Sequence, residues 1–320
     1  MNIPTLAKHW AFLPFLLCIC CLQASGQTAE QFHQEAIHQG ELGNHEAALK
    51  AINHAIQLDS LNSEYLNLKA FHLNQLNLVQ EAFETYNKAI TLSPNNPNLF
   101  NNRGALLLRV CEVDAAINDY DQAIRLAGSD SMKFHYIAAR GMAKGFKMDY
   151  QGGLDDLTRA YEYYPKDLTI LLNLSTIMGR LGKPEEALTY LFISDKIKPN
   201  DIGTLGNIGF QYQKMKLYEK SNEYYNAILR LDSSQALGYS NRAFNNLQLG
   251  KLNEAMSDAD MAIKLYPANS WAYRNRALIH IKEDDIDSAC NDLEMASQLG
   301  FDKMYGDEVR ELKVRHCKNQ

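Results

Sequence analysis

Apolar and small side chains recur along this chain with a period of 34 residues. Within each period, two segments with the apolar spacing of amphipathic helices flank a short turn, which predicts a pair of helices per unit. Only the three residues Ser131–Lys133 break this period. The eight predicted units are Ala29–Asn62, Ser63–Asn96, Pro97–Asp130, Phe134–Asp167, Leu168–Asp201, Ile202–Gln235, Ala236–Asn269 and Ser270–Lys303.

Small residues occupy three fixed positions when each unit is numbered from 1 to 34. Positions 8 and 20 are Ala, Gly or Ser in every unit, and position 27 is Ala or Ser in all units except one, which has Ile228. Helix axes approach to about 8–10 Å only where the contacting side chains are small. We therefore expect these positions to mark helix contacts within a unit and between neighbouring units. Proline at position 32 of four units is expected to end the second helix.

This pattern resembles the tetratricopeptide repeat, which has a large residue at position 4, small residues at positions 8, 20 and 27, and proline at position 32. The resemblance covers Ala29–Lys303. It implies an all-α fold, a right-handed superhelix (α-solenoid) of eight helix hairpins that stack through contacts between neighbours. We expect the remaining segment, Met304–Gln320, to form a C-terminal helix that caps the last unit.

The segment Met1–Gly26 has the layout of a secretory signal peptide. Lys8 precedes the apolar run Trp10–Leu22, and small residues then precede a cleavage site before Gln27. The apolar run is shorter than the roughly 20 residues that a membrane-spanning helix needs. The sequence therefore favours an exported protein of bacterial type, periplasmic or secreted or associated with the cell envelope, with no membrane span after cleavage.

Export changes the interpretation of the cysteines, because disulfides persist in oxidising compartments. Cys290 lies on the second helix of the last unit and Cys317 lies on the C-terminal segment. We predict a disulfide between them that fastens the terminal helix; the alternative is two buried thiols that do not meet. Cys111, at a turn, has no evident partner. Outside Met1–Gly26 the sequence has no Cys-x-x-Cys pair and no cluster of cysteine and histidine, so no metal site is expected.

Arginine at position 7 and aspartate at position 23 occur together in four units and in no other unit. The separation of 16 residues places one on each helix of the hairpin. We predict partly buried ion pairs that join the two helices, since ligand-binding arginines would leave the matching aspartates unexplained. The predicted pairs are Arg103–Asp119, Arg140–Asp156, Arg242–Asp258 and Arg276–Asp292.

Asparagine recurs at position 6 of the first helix, in five units. Positions 2, 6, 9 and 13 share one helical face, the first-helix stripe. In superhelical tetratricopeptide proteins the first helices line the concave surface, so the resemblance implies an asparagine ladder that binds the backbone of an extended peptide. Basic residues at position 13 favour an acidic ligand or a C-terminal carboxylate. The predicted binding residues are Asn102, Asn173, Asn207, Asn241 and Asn275, with Arg109, Arg180, Lys214 and Lys282 at position 13.

The formal net charge of −6 argues against binding to a nucleic-acid backbone. No phosphate-binding loop, nucleophile motif or pair of metal-binding histidines occurs in the sequence, so we expect neither catalysis nor a cofactor. The leading interpretation is a non-catalytic scaffold that binds a peptide or a partner protein along the concave face. Three alternatives stay open: a structural subunit of a cell-envelope assembly that uses its convex face or ends, a regulatory partner of a separately encoded enzyme, and asparagines that bond only neighbouring backbone or water.

Overall fold

A computed structural model describes residues 27–317, and the segment expected to be a signal peptide, Met1–Gly26, lies outside this range. All regular elements within it are α-helices, which confirms the expected all-α class. None of these helices combines the length and the apolar character needed to cross a membrane. In chain order they are α1 (Ala29–Glu41), α2 (His45–Leu58), α3 (Ser63–Gln75), α4 (Val79–Leu92), α5 (Pro97–Arg109), α6 (Val113–Leu126), α7 (Asp130–Phe146), α8 (Tyr150–Tyr163), α9 (Leu168–Arg180), α10 (Pro184–Ile197), α11 (Ile202–Lys214), α12 (Tyr218–Leu231), α13 (Ala236–Gln248), α14 (Leu252–Leu265), α15 (Ser270–Lys282), α16 (Ile286–Gln298), α17 (Phe301–Tyr305) and α18 (Glu308–His316).

The chain divides into two compact units, one up to Val110 and one from Cys111 onward. Within the first unit, α1 packs on α2, α3 packs on α4, and α2 and α4 each contact the helix that follows. Within the second unit the same order continues, with the hairpins α7–α8, α9–α10, α11–α12, α13–α14 and α15–α16 each contacting the next. Contacts between neighbours in sequence are those of an α-solenoid.

One residue with left-handed backbone conformation sets the turn inside every hairpin. It is position 15 of each unit, and glycine occupies it three times, at Gly43, Gly182 and Gly250. The other five units place a side chain there, with φ between 60° and 67°, at a cost of roughly 1–2 kcal/mol each. These five residues are Asn77, Cys111, Met148, Lys216 and Asp284.

The small residues at positions 8, 20 and 27 are buried in all eight units, as is the one larger residue, Ile228. Two glycines show why size matters. A Cβ atom on Gly209 would lie 3.0 Å from Cζ of Tyr225, and one on Gly153 would lie 2.9 Å from the carbonyl oxygen of Gly141. The backbones of α7 and α8 therefore approach too closely at this point for any side chain.

The three residues that break the period lengthen a helix and do not form a separate loop. Helix α7 contains 17 residues, whereas α9 and α11 contain 13 each. The hydroxyl of Ser129 accepts a hydrogen bond from the backbone N–H of Met132, so the extra turn has its own N-terminal cap. The hairpin therefore begins at Asp130, four residues before the predicted start at Phe134.

The C-terminal segment forms two short helices instead of the single helix expected over Met304–Gln320. Gly306, with φ of 97°, separates α17 from α18. The cap also begins earlier than expected, because Phe301 is fully buried against the last hairpin. Val309 and Leu312 of α18 join the same apolar cluster, which covers the end of the repeat array.

Candidate functional site

Three of the predicted arginine–aspartate pairs are bidentate in the structure. Arg242 donates from Nε to Oδ2 of Asp258 at 2.8 Å and from Nη2 to Oδ1 at 2.6 Å. Arg140 and Arg276 hold Asp156 and Asp292 with the same geometry. Arg103 lies in the first compact unit and Asp119 in the second.

Each of these arginines makes a further contact that the sequence reasoning missed. Its Nη1 atom donates to a side-chain oxygen at position 25 of the preceding hairpin, at 2.6–2.7 Å. A signal was present in the sequence, because position 25 is Asn or Asp before every unit that has arginine at position 7. The acceptors are Asn87 for Arg103, Asp121 for Arg140, Asn226 for Arg242 and Asp260 for Arg276.

The titration behaviour of these groups follows from their contacts. Burial opposes the charge on Asp156, but hydrogen bonds from Arg140 and Lys144 outweigh it and lower the pKa of the carboxyl group. The hydrogen bonds that Arg140 donates to Asp156 raise the pKa of Arg140, against the opposing effect of burial. Both partners are therefore charged at neutral pH. These guanidinium groups link neighbouring hairpins and have few donors left for a ligand.

The Sγ atoms of Cys290 and Cys317 are joined as a disulfide, with 5.8 Å between the two Cα atoms. Two ion pairs also fasten α18, one from Arg274 to Glu308 and one from Lys313 to Glu294. Cys111 is exposed and carries a free thiol. The disulfide thus ties α18 to α16, the second helix of the last hairpin.

Asn207 and Asn241 line one open cleft between α11 and α13, with a volume of about 460 Å³. We call this cleft the amide groove. Nδ2 of Asn241 donates to the carbonyl of Leu237 at 3.0 Å, so its Oδ1 atom keeps its accepting capacity. The Asn207 amide makes no hydrogen bond to any other residue in the range 27–317.

Three of the residues that line the amide groove are glycines, Gly203, Gly206 and Gly238. Packing does not require residue 206 to be a glycine. A Cβ atom there would meet nothing closer than the Cδ1 atom of Ile228, at 3.8 Å. The glycine therefore leaves space that a ligand backbone can occupy.

Apolar side chains border the amide groove, and the sequence reasoning missed them. Phe210 is 45% exposed and Leu237 is 61% exposed, and both line the groove. They stand at positions 9 and 2 of the first-helix stripe, where the repeat pattern does not call for core residues. Large apolar residues at these solvent-facing positions were the available signal.

Asn173 and Arg180 line a second cleft, of about 340 Å³, which we call the methionine pocket. Nδ2 of Asn173 donates to the carbonyl of Thr169 at 2.7 Å. Arg180 is exposed and forms no ion pair within the described part of the chain. The apolar walls of the pocket are Met142, Phe146, Met148 and, from the C-terminal segment, Met304.

Asn275 departs from the predicted ladder because it is buried, with 2% of its surface exposed. Its Nδ2 atom donates to the carbonyl of Ser240 at 2.9 Å, and its Oδ1 atom accepts from Nη1 of Arg274. The amide therefore serves to join α15 to α13. This contact satisfies a carbonyl of the neighbouring first helix and leaves little of Asn275 for a ligand.

The other predicted binding residues are used in different ways. Nζ of Lys214 donates to the carbonyl of Gly179 at 2.5 Å, at the end of α9, while Lys282 is exposed. In the first compact unit, Nδ2 of Asn102 donates to Asn67 and Nη1 of Arg109 donates to Asn77. The predicted residues thus fall into two clefts of the second unit and several separate contacts.

A third cleft, of about 650 Å³, is lined by residues of α12, α13 and α14. Exposed carboxylates of Glu219, Glu223 and Glu254 line it. Among residues 27–317, no three His, Cys, Asp or Glu side chains are grouped so that they could hold a metal ion.

Comparisons with known proteins concern the repeat and the fold. The sequence family described as TPR repeat matches residues 73–110, and no curated protein matches the chain. A solved tetratricopeptide repeat protein from Parabacteroides merdae ATCC 43184 is similar, with a TM-score of 0.52, 16% identity, and coverage of 90% of this chain and 100% of that chain. PilW, described as a widely conserved type IV pilus biogenesis factor, has a TM-score of 0.60, 16% identity, and coverage of 65% and 94%. The APC/C hetero-tetramer Cut9-Hcn1 has a TM-score of 0.64 and 12% identity, and the match covers 91% of this chain but 56% of that one.

Proposed function

Because this chain is a tetratricopeptide-repeat protein, we propose that it is a non-catalytic scaffold that holds an extended segment of a partner protein along its first-helix stripe. The repeat fold is that of protein-interaction scaffolds, and the amide groove is the observation that carries the finer assignment. Asn207 and Asn241 lie in one cleft, and Gly206 in its lining leaves room for a second backbone.

The chemistry of the groove suits a peptide backbone. An asparagine amide both donates and accepts, so it matches the alternating N–H and C=O groups of an extended chain. Each such hydrogen bond contributes about 1 kcal/mol net. Phe210 and Leu237 add apolar contact at the edge of the groove, where partner side chains would lie. The hydrogen bonds to the peptide backbone supply affinity that depends little on the peptide sequence. The apolar edge supplies a preference for peptides with apolar side chains.

We also propose that the scaffold works outside the cytoplasm. The layout of Met1–Gly26 supports export, and the Cys290–Cys317 disulfide suits an oxidising compartment. N-terminal sequencing of the protein recovered from the periplasm or the medium should find Gln27 first. A chain that retains Met1 and remains in the cytoplasm would contradict this location.

The test of the groove uses a displayed library of random peptides selected on the full chain, with affinities measured on fluorescein-labelled copies. The double variant Asn207→Ala and Asn241→Ala should weaken the selected peptides about thirtyfold, since two hydrogen bonds of about 1 kcal/mol are lost. Gly206→Gln should also weaken binding, because its side chain fills the groove. Asn118→Ala, an exposed asparagine on α6, is the matched control and should have no effect.

A second candidate function, a structural subunit joined through its second helices, is favoured by the acidic third cleft. Adding the variant Glu223→Lys to these affinity measurements separates the two candidates. Loss of partner binding in Glu223→Lys, with unchanged binding in correctly folded groove variants, would support the structural subunit and refute peptide binding in the amide groove.

A further inference from the structure

The methionine pocket exposes more apolar surface than a solvated face requires. Phe146 is 67% exposed, Met148 is 74% exposed and Met304 is 58% exposed, and all three line the same cleft. Scattered exposed apolar residues are ordinary on soluble proteins, but several that converge on one concavity mark an interaction site. The pocket therefore has the character of a surface that another molecule covers.

The walls of the pocket suit an apolar side chain of variable shape. Three of its apolar side chains are methionines, whose flexible and polarisable thioethers adapt to different partners. Met148 stands at the left-handed turn position, with φ of 67°, where a glycine would be less strained. The strained backbone thus places an apolar side chain at the mouth of the pocket.

The one charged group in the lining of this pocket is cationic. Arg180 is exposed at the end of α9 and has no acidic partner within residues 27–317. This contrasts with the paired arginines at position 7 and with the acidic balance of the whole chain. An unpaired guanidinium beside an apolar cavity is complementary to a carboxylate that stands next to an apolar group.

We propose that the methionine pocket binds a bulky apolar side chain of an acidic peptide segment, and that Arg180 pairs with a carboxylate of that segment. This assignment rests on the proposed function and names the chemistry of the partner. Asn173, on the same lining, bonds the backbone beside the anchoring residue through its free Oδ1 atom. The amide groove then holds the extended continuation of the same segment.

The C-terminal segment completes the pocket through Met304. Helix α17 is held in place by the aromatic contact between Trp271 and Phe301, at 4.7 Å between ring centroids, and by the hydrogen bond from Ser297 to Asp302. The cap of the last hairpin therefore also supplies one wall of a binding site formed by α7 and α9.

The test uses the selected peptides and their labelled copies on the full chain. The enriched sequences should carry Phe, Leu, Met or Trp within two residues of Asp or Glu. The variants Phe146→Ser and Met304→Ser should each weaken their binding by about tenfold. Because both side chains are exposed, neither change removes a core residue. Phe192→Ser, an exposed phenylalanine on α10, is the matched control and should leave the affinity unchanged.

A charge reversal tests the role of Arg180. Arg180→Glu should weaken the acidic peptides by at least tenfold and should bind copies in which Lys replaces the acidic residues. A merely structural role for Arg180 would not produce this exchange of preference. Arg159→Glu, on the exposed side of α8, should change neither affinity.

The outcomes distinguish this inference from the proposed function. If the amide-groove variants lose binding while Phe146→Ser, Met304→Ser and Arg180→Glu retain it, the assignment of the methionine pocket as a binding site is wrong and the scaffold function stands. Enriched peptides without an apolar residue near an acidic one would overturn the pocket as well. A library that yields no binding peptide would overturn both.

Discussion

His72 is buried inside the first compact unit, with 1% of its surface exposed, and its Nδ1 atom lies 3.3 Å from Nδ1 of His45. The ring fits because Gly40 has no side chain; a Cβ atom there would lie 2.6 Å from Cε1 of His72. Burial, and secondly the charge of His45, lower the pKa of His72 to about 4. The folded state therefore favours the neutral imidazole.

We expect this histidine to make stability depend on pH. An unfolded histidine has a pKa of about 6.5, so stability is fully present above that value and falls as the pH drops toward 4. Between pH 7.5 and pH 5 the loss from His72 should be about 2 kcal/mol, at 1.36 kcal/mol for each unit of difference in pKa. Urea unfolding of the wild type and of His72→Gln at both pH values measures this contribution.

The role of His72 is tested by the change in unfolding free energy between the two pH values, and not by the stability at one pH. His72→Gln is expected to be less stable at pH 7.5, since it loses packing, but its stability should fall by about 2 kcal/mol less on acidification. His54→Gln, which changes an exposed histidine of α2, should keep the pH dependence of the wild type. Equal dependence in all three proteins would mean that His72 titrates normally.

Arg242 shows how a single side chain joins three helices. It lies on α13, binds Asp258 of α14 in bidentate fashion, and donates a third hydrogen bond to Asn226 of α12. Nδ2 of Asn246 supplies a further hydrogen bond to Asp258 at 3.1 Å. The same arrangement recurs at Arg140 and Arg276, so these contacts set the packing between hairpins as well as within them.

A double-mutant cycle should show strong coupling between Arg242 and Asp258. Arg242→Leu or Asp258→Leu alone should cost roughly 3–5 kcal/mol of unfolding free energy, because each leaves a buried charge without its partner. The double variant should cost clearly less than the sum of the two, since no charge is then left unpaired. Urea unfolding of the four proteins gives the coupling energy.

A surface pair of the same chain provides the comparison for this cycle. Lys198 and Asp201 are 2.8 Å apart, and the lysine side chain is 61% exposed. Their coupling should be below about 1 kcal/mol, as for other solvated ion pairs. If the Arg242–Asp258 coupling is equally small, the position-7 arginines contribute little to the stacking of hairpins.

For the whole molecule, the repeat period was enough to predict the all-α solenoid and the small residues at helix contacts, because close helix packing restricts what position 8, 20 or 27 can hold. The turn residue at position 15 was harder to predict. Five units have residues other than glycine there, such as Met148 and Lys216, and residue types of this kind do not predict a left-handed backbone. The break at Gly306 was likewise hidden, since it lies outside the repeat.

The candidate site was less predictable than the fold, for a physical reason. Repeat numbering places Asn207, Asn241 and Asn275 at equivalent positions, but their neighbours differ. Asn275 meets the carbonyl of Ser240 and Arg274 and is buried, whereas Asn207 and Asn241 line a cleft. Met304 illustrates the same limit, because its place beside Met142 depends on the path of the whole second unit.

The end of the array is where the disulfide should have its largest effect. In a repeat array each hairpin is stabilised mainly by its neighbours, so a local loss spreads only a short distance. We expect Cys290→Ala, Cys317→Ala or chemical reduction to lower protection from hydrogen exchange in α16 and α18 by roughly 3.5 kcal/mol, the chain-entropy value for closing a loop of this length. Exchange measured by mass spectrometry locates the change along the chain.

The spread of that effect tests the stacking itself. Protection of α7–α10 should stay close to that of the wild type, because several hairpins separate these helices from the disulfide. Cys111→Ser, which alters the free exposed thiol, should leave α16 and α18 unchanged. Equal loss of protection in α7 and α18 would mean that the second compact unit opens as one cooperative body, and that its stability is not the sum of contacts between neighbouring hairpins.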